Sequence, residues 1–95
     1  MSDSADKTVR ELDVTGLLCP MPILRARRIL DEMQIGDILL VTASDPASVH
    51  DMPAFCSMAG HKLVMARAEG QHFLYEIEKG TSSSAETGAY SASKS

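Results

Sequence analysis

The stretch that most constrains this chain is Gly16-Leu17-Leu18-Cys19-Pro20-Met21-Pro22. Proline suits the first turn of a helix, where its missing N–H had no intrahelical acceptor, and breaks a helix further in. The stretch is therefore read as a turn at Thr15-Gly16 followed by a helix start, with Pro20 at N1 and Pro22 at N3. Cys19 becomes the N-cap. The positive end of the helix dipole favours a thiolate there, which makes Cys19 a candidate nucleophile. The prolines also limit the effect, because Met21 at N2 carries the local N–H left within capping reach of the sulfur. The expected thiol is moderately activated, held outward by Gly16, Pro20 and Pro22, and spared strong hydrogen bonding. An N-cap also accepts small residues for structural reasons alone, and this stretch by itself leaves both readings open.

On either side the periodicity is regular. Residues 9–14 alternate, with Arg10, Leu12 and Val14 on one face and Glu11 and Asp13 on the other, as in a half-buried strand. From Pro20 to about Met33 or Gln34 the spacing is helical. Ile23, Ala26, Ile29, Leu30 and Met33 fall in a stripe about 120° wide, and Arg25, Arg28 and Glu32 lie opposite it. Arg27 faces Asp31 at i,i+4, so the arginines read first as a solvated face with local ion pairs. Arg27 and Arg28 are also the nearest basic residues able to dock a partner beside Cys19.

Residues 38–43 (ILLVTA) are nearly continuous apolar and β-rich, as in a central strand. Asp45 and Pro46 open a second helix as N-cap and N1. Its expected buried stripe is Val49, Met52, Phe55, Cys56 and Ala59. Pro53 is expected to kink or split it, with Asp51 capping the second piece, and Gly60 to close it. Residues 62–68 and 72–78 flank Glu69-Gly70-Gln71 and form a hairpin.

The order is β-α-β-α-β-β. A strand-helix-strand unit is parallel, while a hairpin is antiparallel. Two helices cannot cover both faces of four strands. The expected fold is thus an α/β (α+β) two-layer sandwich, a mixed four-stranded sheet with both helices on one face. The domain spans residues 8–80, with disordered tails at 1–7 and 81–95, where small and polar residues run without apolar periodicity.

Composition excludes several classes. Acidic residues outnumber basic ones for a net charge of −4, which disfavours direct nucleic-acid binding. No apolar run approaches the roughly 20 residues of a membrane span. The start of the chain, with Asp3 and Asp6, has no apolar signal segment. A cytoplasmic location is expected, with Cys19 and Cys56 as free thiols.

Cys56 sits on the apolar stripe and reads as a small buried hydrophobe. His50, His61 and His72 have no metal-motif spacing and neither cysteine belongs to a C-x-x-C, so no metal site and no cofactor are expected. No sequence-local base for Cys19 can be named, and no pocket-forming machinery is visible. What remains is a positioned thiolate able to attack a persulfide or disulfide sulfur, hold it, and present it to a partner.

At this point the chain resembles a known family. LDVTGLLCPMPILRARRIL, followed by ILLVTASDPAS and DMPAFCSMAGH, is similar to the TusA/SirA family of small sulfur carrier proteins with their CPxP motif. The resemblance implies the same β-α-β-α-β-β sandwich, with Cys19 as the sulfur-accepting cysteine. It implies a sulfurtransferase-type carrier that works by persulfide relay rather than by turnover of a small substrate. A cysteine desulfurase or rhodanese-like protein would supply the sulfane sulfur. A downstream acceptor protein would take it into tRNA thiolation, molybdenum cofactor synthesis or dissimilatory sulfur metabolism. The alternative from another class is a thiol-based redox or regulatory binding module that pairs Cys19 with Cys56.

Overall fold

The computed structural model describes residues 8–80, and the expected tails at 1–7 and 81–95 lie outside the described residues. Six elements follow in the expected order: β1 (Val9–Val14), α1 (Met21–Glu32), β2 (Ile38–Ala43), α2 (Ser48–Ala59), β3 (Lys62–Glu69) and β4 (His72–Glu78). The sheet order is β1-β2-β4-β3. β1 and β2 are parallel, and β4 runs antiparallel to both β2 and β3. The strand after α2 therefore lies parallel to β2, with β4 inserted between them.

The registers explain why one face is apolar. Leu39 lies opposite Ile77, Val41 opposite Tyr75, and Leu12 and Val14 pair with Val41 and Ala43. Alternation along each strand puts these side chains on a common face. Ala26 and Leu30 from α1, Met33 at its C-cap, and Met52 and Cys56 from α2 join them in a single cluster. Both helices thus pack on the same side of the sheet, as the sequence leads one to expect. Inside the layer the Ser48 and Tyr75 hydroxyls share a 2.7 Å hydrogen bond, which satisfies two buried polar groups across α2 and β4. The β3–β4 connection is the two-residue turn Gly70-Gln71, with Glu69 opposite His72 and Gly70 at φ +60°. Positive φ is what a tight hairpin turn requires, and glycine supplies it.

The helix boundaries depart from expectation. The N-cap of α1 is Pro20, so the helix begins at Met21 and Pro22 is its second residue, not its third. Pro22 is fully buried against the core while Pro20 is exposed, so the two prolines do different jobs. The second helix is one continuous element and is not split at Pro53. Its missing N–H forfeits one bond, and Val49, whose carbonyl would have received it, is 44% exposed and open to water. The expected stripe is corrected accordingly: Val49 faces out, and Ser48, Met52 and Cys56 are the buried residues of α2. Asp45 does cap, accepting the Ala47 N–H at 3.1 Å, but it caps a turn that precedes α2. Asp51 caps nothing. Gly60 ends α2 in the left-handed conformation at φ +83°, with its N–H on the Cys56 carbonyl.

Two buried charged residues fix the C-terminal end of α1 and the turn that follows it. Asp37 accepts the Thr8 and Gln34 N–H groups on its two oxygens, fixing the turn into β2. Lys79 is 6% exposed and donates its Nζ to the Leu30 carbonyl, placing a cation at the negative end of α1.

Candidate functional site

The parallel pairing of β1 and β2 builds the site. Val14 and Ala43 are register partners at the ends of their strands, so both strands discharge their loops at the same edge of the sheet. The loop after β1 turns at Thr15-Gly16, where the Leu17 N–H reaches the Val14 carbonyl at 3.2 Å and Gly16 takes φ +84°. A β-turn with positive φ at its third residue favours glycine. The Gly16 N–H donates to Ser44 Oγ at 2.8 Å, and the Cys19 N–H donates to Asp45 Oδ2 at 2.7 Å. The two loops are thus laced together by side chains of the second, and the thiol is set at the seam.

Cys19 is exposed, and Cys56 is buried at 2% exposure; both are free. The environment of Cys19 overturns the dipole argument made from sequence. Cys19 stands one residue ahead of the N-cap, and the Met21 N–H expected near its sulfur is committed to the Leu18 carbonyl at 2.9 Å. The sulfur is not spared hydrogen bonding either. Its thiol donates to Asp51 Oδ2 at 3.1 Å across to α2. That bond, with desolvation and the charges of Asp51 and Asp45, holds the Cys19 pKa above its ordinary value rather than below it. The resting thiol is harder to ionise than a free one.

A groove of about 660 Å³ runs between α1 and α2, which corrects the expectation that the chain carries no pocket. Cys19, Pro20 and Asp51 form its mouth, Ile23, Phe55 and Met58 its apolar middle, and Asp31, His61 and Lys79 its far end. From Pro20 to Asp31 the α1 wall extends roughly 16 Å at the rise of a helix. Met58 is 88% exposed, so the middle of the groove presents apolar surface to solvent.

His61 packs its ring 5.6 Å from Phe55, and its Nδ1 accepts the Gly80 N–H at 3.0 Å. Burial and the Lys79 charge lower its pKa, which favours the neutral ring. A Cβ on Gly80 would run into the Gly60 carbonyl, so the segments beside His61 and Lys79 are held together by two glycine backbones in contact.

The docking candidates divide. Arg27 lines the groove with Cys19, whereas Arg28 is exposed and not part of its wall. The expected Arg27–Asp31 ion pair is not formed; among the described residues the ion pairs are Arg10–Glu32 and Arg67–Glu69. Asp45, Asp51, His61 and Lys79 were missed as site residues in the sequence. A signal for the first two existed: parallel strands place the starts of both helices side by side. No group of histidine, cysteine and carboxylate side chains among the described residues could hold a metal ion.

A family model described as Sulfurtransferase TusA matches residues 10–79. The chain belongs to this family. The sulfur carrier protein TusA of Allochromatium vinosum is 46% identical over 70 residues, covering 74% of this chain and 92% of that protein. The crystal structure of a SirA-like protein from Desulfitobacterium hafniense superposes with a TM-score of 0.67 at 20% identity, covering 76% of this chain and 99% of that one. At that identity the superposition speaks for the fold, and it is the two-layer sandwich described above. No helix among the described residues is long and apolar enough to cross a membrane.

Proposed function

We propose that this sulfur carrier protein holds its cargo on Cys19 as a persulfide. The carrying observation is the contrast in access: the Cys19 thiol stands exposed at the mouth of a groove, while Cys56 is sealed in the core. Loading is a thiol–persulfide exchange. The Cys19 sulfur attacks the sulfane sulfur of a donor R–S–SH, the new S–S bond forms, the R–S bond breaks, and R–SH leaves. Delivery is the same exchange run toward an acceptor thiol, so neither step needs an external oxidant or reductant.

A carrier has a donor and an acceptor, and the groove at Cys19 is open to solvent along its length rather than closed around a small substrate. The open groove with its apolar middle suits a protein partner. A cysteine desulfurase or rhodanese-like protein is the proposed donor, and Arg27 on the groove wall is the proposed docking cation. Arg28 loses its claim to that role. The free, exposed thiol suits a reducing compartment such as the cytoplasm. A redox module pairing Cys19 with Cys56 has nothing in its favour, since Cys56 is buried and takes no part in the groove.

Incubation with a cysteine desulfurase and cysteine, followed by intact mass measurement, tests the assignment. The wild type and Cys56→Ala are expected to gain one sulfur atom, and Cys19→Ser none. Sulfur retained by Cys19→Ser and lost from Cys56→Ala would overturn it.

A further inference from the structure

A thiol whose pKa is raised is an awkward carrier. Little of it is thiolate at neutral pH, so it attacks slowly. As a leaving group it is also poor, because leaving is faster for thiols of lower pKa. Both handicaps vanish if the proton on the sulfur is held by a neighbour that can take it during attack and return it during release.

Asp51 is placed to be that neighbour. Its Oδ2 accepts the Cys19 thiol at 3.1 Å, and the two residues face each other across the groove mouth from different elements. Asp45, the other carboxylate beside the thiol, is occupied on both oxygens by the backbone N–H groups of Cys19 and Ala47. Asp51 makes no hydrogen bond besides that to Cys19 among the described residues. It lies in the first turn of α2, on the element that faces the Cys19 loop. The remaining charged or titratable groups on the groove walls are Arg27 and Asp31 of α1 and, at the far end, His61 and Lys79. None of them hydrogen-bonds the sulfur.

We propose that Asp51 is the proton-holding residue of the sulfur transfer, taking the proton of the attacking sulfur and returning it to the sulfur that leaves. In loading, the Cys19 proton passes to Asp51 Oδ2 as Sγ attacks the sulfane sulfur of R–S–SH. The Sγ–S bond forms, the R–S bond breaks, and the departing sulfur takes the proton from Asp51. The sum is Cys19–SH plus R–S–SH giving Cys19–S–SH plus R–SH. In delivery the acceptor thiol passes its proton to Asp51 Oδ2 as its sulfur attacks the outer sulfur, the Sγ–S bond breaks, and the Cys19 sulfur takes that proton and leaves as a thiol. The same bond keeps the idle carrier unreactive toward stray electrophiles.

This inference rests on Cys19 as the loaded residue, and two reactions of the same sulfur separate the two ideas. Iodoacetamide alkylation reads the thiolate alone; loading from glutathione persulfide reads thiolate and proton transfer together. In Asp51→Asn the alkylation pH midpoint should move down and the rate at pH 7 rise several-fold. Loading at pH 7 should instead fall by at least about tenfold, a modest share of what a positioned base contributes. Asp51→Glu, which keeps a carboxylate, should restore the raised midpoint and much of the loading rate. An unmoved alkylation midpoint in Asp51→Asn, or loading that rises in step with alkylation, overturns the proposal. A wild type that gains no sulfur on Cys19 sinks the carrier assignment instead, while the alkylation profiles still report on the Cys19–Asp51 bond.

Discussion

Cys19 and Cys56 are both thiols with raised pKa values, and they are raised for opposite reasons. For Cys56 the cause is burial, which pushes it from 9.0 to about 11 among the apolar side chains under α2. For Cys19 the first cause is a hydrogen bond to a carboxylate at an exposed position. Desolvation is undone only by opening the core, so Cys56 is inert for as long as the protein is folded. A hydrogen-bonded proton can move without any change of fold. One thiol is silenced by structure, the other is held in reserve by a neighbour.

The sharpest way to break this comparison is sulfur loading itself. Cys19→Ser should abolish persulfide formation, while Cys56→Ala should retain it at a stability cost of about 1–2 kcal/mol for the lost sulfur packing. Equal loss in both variants, measured by intact mass and by denaturant unfolding, would merge the two cysteines into one functional pair.

Next in size is chemical access. In the folded protein Cys19 should alkylate more than about a hundredfold faster than Cys56, whose exposure needs sub-global opening. Peptide mapping after timed iodoacetamide quench reads both rates in one sample.

The docking face gives a smaller contrast. Arg27→Glu should slow sulfur exchange with a desulfurase by about tenfold, the scale of a charge reversed at an interface. Arg28→Glu, off the groove wall, should change it by less than about twofold. Equal effects of the two reversals on exchange kinetics would move the docking surface off the groove.

The smallest effect is a pH slope in stability. The folded Cys56 holds its proton up to about 11 while the unfolded chain loses it near 9.0. The native state then binds more protons than the unfolded one, so stability contributed by this thiol is full below 9.0 and declines as pH rises toward 11. Unfolding midpoints across that window should fall more steeply for the wild type than for Cys56→Ala. Parallel slopes would show that Cys56 is hydrated in the folded state.

Much of this molecule is decided by its residues taken in order. The alternation in residues 9–14, the apolar run at 38–43 and the helical stripe from Ile23 to Met33 are local periodicities, and they determine the elements and the layer they form. The burial of Cys56 follows from its place on such a stripe. The Gly16 turn and the prolines determine that Cys19 is set outside the core, and the likeness of its surroundings to the TusA family points to sulfur.

The state of that sulfur is another matter. It depends on Asp51, far along the chain on another helix, and on Asp45, which holds the Cys19 N–H from the opposite loop. Local rules for a helix start assign the thiol to its own helix dipole and give a lowered pKa. The tertiary structure brings α2 alongside through the parallel β1–β2 pair and reverses the sign. Lys79 and His61 enter the groove in the same way, from the ends of β4 and α2, which meet only in the folded protein. Periodicity and capping are read within a few residues of sequence, whereas proton affinity is set by whatever charge lies within a few ångströms in space.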